Sequence, residues 1–236
     1  MSTANPDSGA GVSAFIPLEC NPVRMTALLK GIDESSPLQF YDVISIPDAR
    51  LINLHIPHPA LALLLVFSSR TPPEELRYRG SGADEPVVWW RQTVKNSCGT
   101  MALLHAACNG PARDLIDKTS TLGKLLDESI PKGPEERARL LERSKELADE
   151  HQKAAEGGDT EAPEATDDVE PHYVCFVAGT DGALYEMDGR KSGPVKLGDL
   201  GGEADMLSET ALDLGARKYI KPNENFSSVV LAAGSQ

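Results

Sequence analysis

No apolar run in the 236-residue sequence is longer than the eight residues Ala60 to Phe67, whereas a helix that spans a bilayer needs about 20. A helical membrane protein is therefore excluded. Positive charge is also short: 23 Lys and Arg stand against 36 Asp and Glu, a net -13. That balance argues against a bare electrostatic grip on nucleic acid or on an anionic membrane surface, and makes a basic partner the natural complement. Cysteine is scarce. The four, at positions 20, 98, 108 and 175, form no CxxC pair and no dense framework, so neither a zinc site nor a disulfide scaffold is indicated. The opening stretch MSTANPDSGAG lacks the basic and apolar regions of a secretory signal. The expected compartment is the cytosol, with the nucleus also open, where the thiols stay reduced and the Asn225 sequon stays unmodified. What is present is globular in kind, with 40% apolar and 25% charged residues in a length that suits one large domain or two small ones.

Residues 1–14 hold almost nothing to bury and read as a disordered tail. Asn21-Pro22, a capping residue before a proline at the first helical position, opens a short helix that should end at Gly31. Strands are expected at Gln39 to Ile46, Ala60 to Phe67 and Val87 to Trp90, the second apolar on both faces as a covered central strand would be. Cys98 to Cys108 is apolar nearly all round and reads as a buried helix starting at Cys98. Helices also fit Thr121 to Ile130 and Pro134 to Lys153. From Asp149 to Glu170 nine acids face one lysine, which reads as a long solvated loop. Strands return at His172 to Ala178 and Ala183 to Met187, followed by a helix from Glu203 to Ile220 and a last strand, Ser227 to Ala232. Helices and strands come in groups, which favours an α+β fold with a mostly antiparallel sheet between helical layers.

A thiol at the first position of a helix meets unpaired backbone N–H groups and the positive end of the dipole, which favour its thiolate; Cys98 is so placed. Free cysteine is also among the most buried residue types, and Cys20, Cys108 and Cys175 read simply as core. His172 opens one strand and Asp188 follows the next, so a hairpin brings them to one end of the sheet. A base beside Cys98, oriented by a carboxylate, is what an activated thiol requires. Gln92, six residues before Cys98, offers an amide donor for an oxyanion, or is a surface residue at a strand end. His55 and His58 read as loop residues, and His105 as a core histidine about 10 Å along the helix from Cys98 at ~1.5 Å per residue. Trp89-Trp90 reads as strand packing.

These residues carry a family resemblance. QTVKNSCGTMALLHA, Gln92 to Ala106, resembles the nucleophile segment of the ubiquitin C-terminal hydrolases, papain-like thiol deubiquitinases, and LYEMDGRK, Leu184 to Lys191, resembles their acidic segment. PLECNP (Pro17 to Pro22), GPEERARLLE (Gly133 to Glu142), DTEAP (Asp159 to Pro163) and NFSSVVLAA (Asn225 to Ala233) match in order and spacing as well. Ser97 stands where the family usually has alanine, and the hairpin VAGTDGA is one residue longer than the usual pattern. The resemblance implies a papain-like fold with a knotted backbone and a single catalytic domain over residues 15–234. It implies Cys98 as nucleophile, His172 as general base and acid, Asp188 as the residue orienting His172, and Gln92 as oxyanion donor, with no metal or organic cofactor. It further implies contacts to ubiquitin, or to a close ubiquitin-like protein, from Pro17, Leu18, Glu19 and Asn21 and from Asn225 and Phe226 within the segment Asn223 to Ser228. A crossover loop, about 154–170 and including Asp159, Thr160 and Glu161, would pass above the site and limit leaving groups to small amides, esters and short tails. A monomer acting alone is implied. The alternatives are a ubiquitin-binding module without turnover, and an acyltransferase using the same triad.

Overall fold

Asn21 does what its position before Pro22 predicts: its side-chain oxygen accepts the N–H groups of Val23 (2.9 Å) and Arg24 (3.3 Å), capping helix α1, Pro22–Ile32. The computed structural model describes residues 14–47, 55–69, 71–158, 171–221 and 225–234. Of the expected tail only Ala14 is described, and it bridges to Lys95. Most of the expected crossover loop, residues 159–170 with Asp159, Thr160 and Glu161, lies outside the described residues.

Among the described residues six strands form one antiparallel sheet in the order β1-β6-β2-β3-β4-β5. They are β1 (Leu38–Asp42), β2 (Ala62–Ser68), β3 (Pro171–Ala178), β4 (Ala183–Met187), β5 (Val195–Asp199) and β6 (Phe226–Ala233). The double-faced apolar run of β2 has its reason here. Ala62, Leu64 and Val66 join Tyr173, Cys175 and Val177 of β3 in one core layer, while Leu63 and Leu65 join Val174 and Phe176 in the other. The first layer is closed by α1 and by α2 (Cys98–Ala107), a helix buried at every position. The second is closed by the six-residue α6 (Glu209–Leu214) and a 3-10 turn, Ala216–Tyr219. Between α2 and α6 in the chain come α3 (Thr121–Ser129), α4 (Pro134–Arg143) and α5 (Lys145–Glu156), which pack on the first layer. No helix among the described residues is long and apolar enough to cross a membrane.

Five local expectations need correction. Val87 to Trp90 is buried but belongs to no strand, because side chains satisfy its backbone: Asn109 accepts the Val88 N–H (2.6 Å) and donates to the Val88 carbonyl (3.0 Å), and His105 accepts the Trp90 N–H (3.0 Å). The expected helix Pro134 to Lys153 is two helices. Ser144 takes an extended conformation between them and accepts the Leu147 N–H, ending α4 and capping α5. α5 then continues to Glu156 with Ala154 and Ala155 buried, so the first residues assigned to the acidic loop are helical. The helix expected from Glu203 to Ile220 starts only at Glu209, capped by Ser208, and stops at Gly215. β1 ends at Asp42, and the edge strand β5 was hidden by its polar pattern VKLGD.

Candidate active site

The β3–β4 hairpin places His172, at the start of one strand, beside Asp188, just past the end of the other. His172 Nε2 lies 2.9 Å from Asp188 Oδ1, with both side chains buried. A carboxylate can only accept, so Nε2 carries a proton towards Asp188, and Nδ1 is the nitrogen left to share a proton with Cys98. Asp188 is itself fixed twice more: Oδ1 accepts the Arg190 N–H (2.8 Å) and its carbonyl accepts the Trp89 indole N–H (3.2 Å). Burial works against a charged His172, but the hydrogen bond to Asp188 and the nearby Cys98 outweigh it and lift its pKa to about 9. Burial likewise favours a protonated Asp188, yet His172, the Arg190 N–H and Lys191 hold its carboxyl below the usual range.

Cys98 occupies the first turn of α2. No side chain caps that turn, since the Ser97 hydroxyl is turned back to the Val94 carbonyl at 2.8 Å. Two residues earlier Asn96 adopts φ 60°, a left-handed conformation that asparagine tolerates better than most residues. Cys98, Asn96, Gln92, His172 and Arg190 line one cleft of about 310 Å³. The Gln92 backbone N–H donates to the Gly189 carbonyl (2.9 Å), while its side-chain nitrogen reaches only the Val94 carbonyl at 3.5 Å and its side-chain oxygen is buried without a partner. A Cβ on Gly189 would sit 2.9 Å from the Gln92 Cβ, so only glycine lets the turn after Asp188 approach the segment carrying Gln92. The other thiols differ: burial pushes Cys20 up to about 12 and raises Cys108 and Cys175 too. All four cysteines are free.

The structure thus brings Cys98, Gln92, His172 and Asp188 together. Pro17 to Asn21 runs against the nucleophile turn: a Cβ on Gly99 would lie 3.0 Å from the Leu18 Cβ, and the Leu18 carbonyl accepts the Tyr173 hydroxyl at 3.0 Å. Glu19 is half-buried, and the Asn21 side chain is engaged in capping α1. Asn225 is exposed, and Phe226 pairs in register with Phe67, which pairs with His172 on its other side. His105 touches none of the reacting groups: it is buried with its Nε2 on the Trp90 N–H, though close enough to Asp188 to feel its charge. His55 and His58 contact the Asp42 carbonyl and Asp205, and no group of three His, Cys, Asp or Glu among the described residues could hold a metal. Sequence reasoning missed Trp89, Asn96 and Gly189. Trp89 looked like packing alone, and the contacts of the other two are visible only once the turns meet.

Comparison with known proteins agrees with this architecture. Residues 15–221 match the family model described as ubiquitin carboxyl-terminal hydrolase, family 1. A ubiquitin carboxyl-terminal hydrolase from Aplysia californica is 32% identical over 207 residues, covering 87% of this chain and 94% of that protein. Ubiquitin carboxyl-terminal hydrolase 3 from Arabidopsis thaliana is 33% identical over 208 residues, 84% of each chain. The fold is similar to that of the Trichinella spiralis UCH37 catalytic domain, solved bound to ubiquitin vinyl methyl ester, with a TM-score of 0.73 at 18% identity over 95% of this chain and 98% of the other. With its cysteine at a helix start, its paired histidine and aspartate and a family match over most of its length, the chain belongs to the ubiquitin carboxyl-terminal hydrolases of family 1, a family of cysteine peptidases.

Proposed function

We propose that this chain hydrolyses bonds to the C-terminal glycine of ubiquitin through a thioester on Cys98. The observation that carries the reading is the cleft itself, in which Asp188 occupies His172 Nε2 and leaves Nδ1 to Cys98. Nδ1, protonated at neutral pH with a His172 pKa of about 9, holds the proton that the thiol gives up, and the sulfur attacks the glycine carbonyl. The negative oxygen of the tetrahedral intermediate is held by the Cys98 N–H and by the Gln92 amide, which has only one long contact to give up. The imidazolium then returns its proton to the leaving amine as the carbon–nitrogen bond breaks. Water, deprotonated by the same Nδ1, attacks the thioester and frees the carboxylate and the thiol. A His172 pKa lifted to about 9 suits a site that passes through an imidazolium.

Pro17 to Asn21 and Asn225–Phe226 are proposed to contact ubiquitin, in a monomeric enzyme of the cytosol or nucleus. Leaving groups are proposed to be small. The fourteen residues 157–170 between the end of α5 and β3 span at most about 50 Å at ~3.6 Å each. A folded domain of ~76 residues is close to 30 Å wide, more than a closed opening of that perimeter admits. The deciding experiment is labelling with ubiquitin vinyl methyl ester followed by peptide mapping. A single adduct on Cys98 is expected, and an adduct elsewhere or none overturns the reading.

A further inference from the structure

The segment that precedes α1 is pinned beside the catalytic cleft at three points. The Phe15 N–H donates to the Lys95 carbonyl at 2.9 Å, the Leu18 carbonyl accepts the Tyr173 hydroxyl, and the Ile16 carbonyl lies 2.7 Å from His151 Nε2. His151 stands on α5, fully buried, with the Phe15 ring stacked on it at 4.2 Å. Its other nitrogen, Nδ1, lies 2.6 Å from the hydroxyl of Thr100. The carbonyl of Ile16 can only accept, so Nε2 carries the proton and Nδ1 accepts from Thr100. Burial lowers the His151 pKa to about 4, which keeps this neutral tautomer in place.

Thr100 is two residues after Cys98, in the first turn of α2, and that turn has no capping side chain of its own. Gly99, between them, lets the turn approach Leu18 so closely that a Cβ there would be 3.0 Å from the Leu18 Cβ. With so little slack, a displacement of the segment is passed to the turn that carries the nucleophile. We infer that His151 is a positioning residue: through Thr100 and Ile16 it locks the nucleophile turn of α2 and the substrate-facing segment Phe15 to Asn21 into one register. This rests on the reading of Cys98 as nucleophile and of Pro17 to Asn21 as a ubiquitin contact. A displacement of about 1 Å at a reacting group can reduce a rate by roughly 10²-fold, so loss of the Thr100 tie should appear in kcat. Loss of the Ile16 tie should appear in KM.

Two isosteres separate the halves. In His151→Gln the amide nitrogen reaches the Nε2 position and keeps the donor to Ile16 but loses the acceptor for Thr100. His151→Asn keeps an acceptor near the Nδ1 position and loses the donor to Ile16. Thr100→Val removes the hydroxyl and leaves His151 intact. Steady-state kinetics on ubiquitin carrying a C-terminal fluorogenic aminocoumarin amide, with thermal denaturation alongside, are the measurement. Thr100→Val and His151→Gln should lower kcat about tenfold with KM changed less than twofold, and His151→Asn should raise KM several-fold with the smaller change in kcat. A lowered melting temperature with kcat and KM both unchanged in the three variants would make His151 a core residue and overturn the inference. Should both His151 variants fail to fold, Thr100→Val decides: a kcat equal to wild type overturns the inference, and a tenfold loss supports it. A wild-type enzyme without turnover would instead overturn the functional reading and this inference with it.

Discussion

His172 and His105 are both buried, at 4% and 0% exposure, yet one is lifted to a pKa of about 9 and the other lowered to about 4. Desolvation disfavours the charged ring in both places. At His172 it is overcome, because one nitrogen rests on the Asp188 carboxylate and Cys98 lies on the other side. At His105 it wins. There Nε2 already accepts the Trp90 backbone N–H, and a proton on that nitrogen would lose the bond. The difference is one of partners rather than of depth. A buried histidine given an acid can carry a proton through a reaction, and one given a backbone donor is a neutral support for the chain beside it.

Removing the groups around His172 breaks the comparison most sharply. Cys98→Ala is expected to abolish hydrolysis while ubiquitin still binds; NMR titration should show the His172 pKa fall from about 9, and that of His105 stay near about 4. Residual hydrolysis comparable to wild type would remove Cys98 from the mechanism. Asp188→Asn comes next, with kcat reduced by roughly 10³-fold or more and KM changed far less, because the lost group orients the imidazole and stabilises its charge. An unchanged kcat would point to another orienting group. Gln92→Ala should lower kcat by about 10²-fold, and a loss confined to KM would contradict an oxyanion role.

How far the sequence reads depends on whether the cause is local. The cap Asn21-Pro22, the two-faced run of β2 and the start of α2 at Cys98 were legible because each is set by neighbours within a few positions. The hairpin turn is local too, and it puts His172 and Asp188 at one end of the sheet. Val87 to Trp90 misled because the backbone of this β-rich segment is satisfied by His105 of α2 and by Asn109 just past that helix, not by a strand. The break at Ser144 is masked because Leu140, Leu141, Leu147 and Ala148 keep a helical spacing across it. Gly189 and His151 were beyond reach for another reason: what makes them matter is contact with Gln92, Thr100 and Ile16, and nothing in their own segments announces it.

The smallest kinetic effect is expected at His105, where the same comparison predicts a change in stability with little change in rate. His105 and His151 both have folded pKa values of about 4 against 6.5 in the unfolded chain, so between these values the unfolded state binds more protons. Stability then rises with pH through this window and is lost as pH falls from 6.5 towards 4. His172 has the opposite sign, contributing stability below 6.5 that is lost as pH rises through about 9. From pH 7 to pH 5 each of the two neutral histidines should cost about 2 kcal/mol at ~1.4 kcal/mol per pH unit. His105→Gln keeps an acceptor for the Trp90 N–H but has no proton to gain, so urea unfolding at the two pH values should show that loss reduced by about 2 kcal/mol. Its kcat on the ubiquitin amide should stay within about twofold of wild type, since the ring bonds the Trp90 backbone rather than a reacting group. If the pH dependence were unchanged, His105 would not be the neutral group its partners make it, and if kcat fell as far as in Asp188→Asn, the two histidines would not be separable in function.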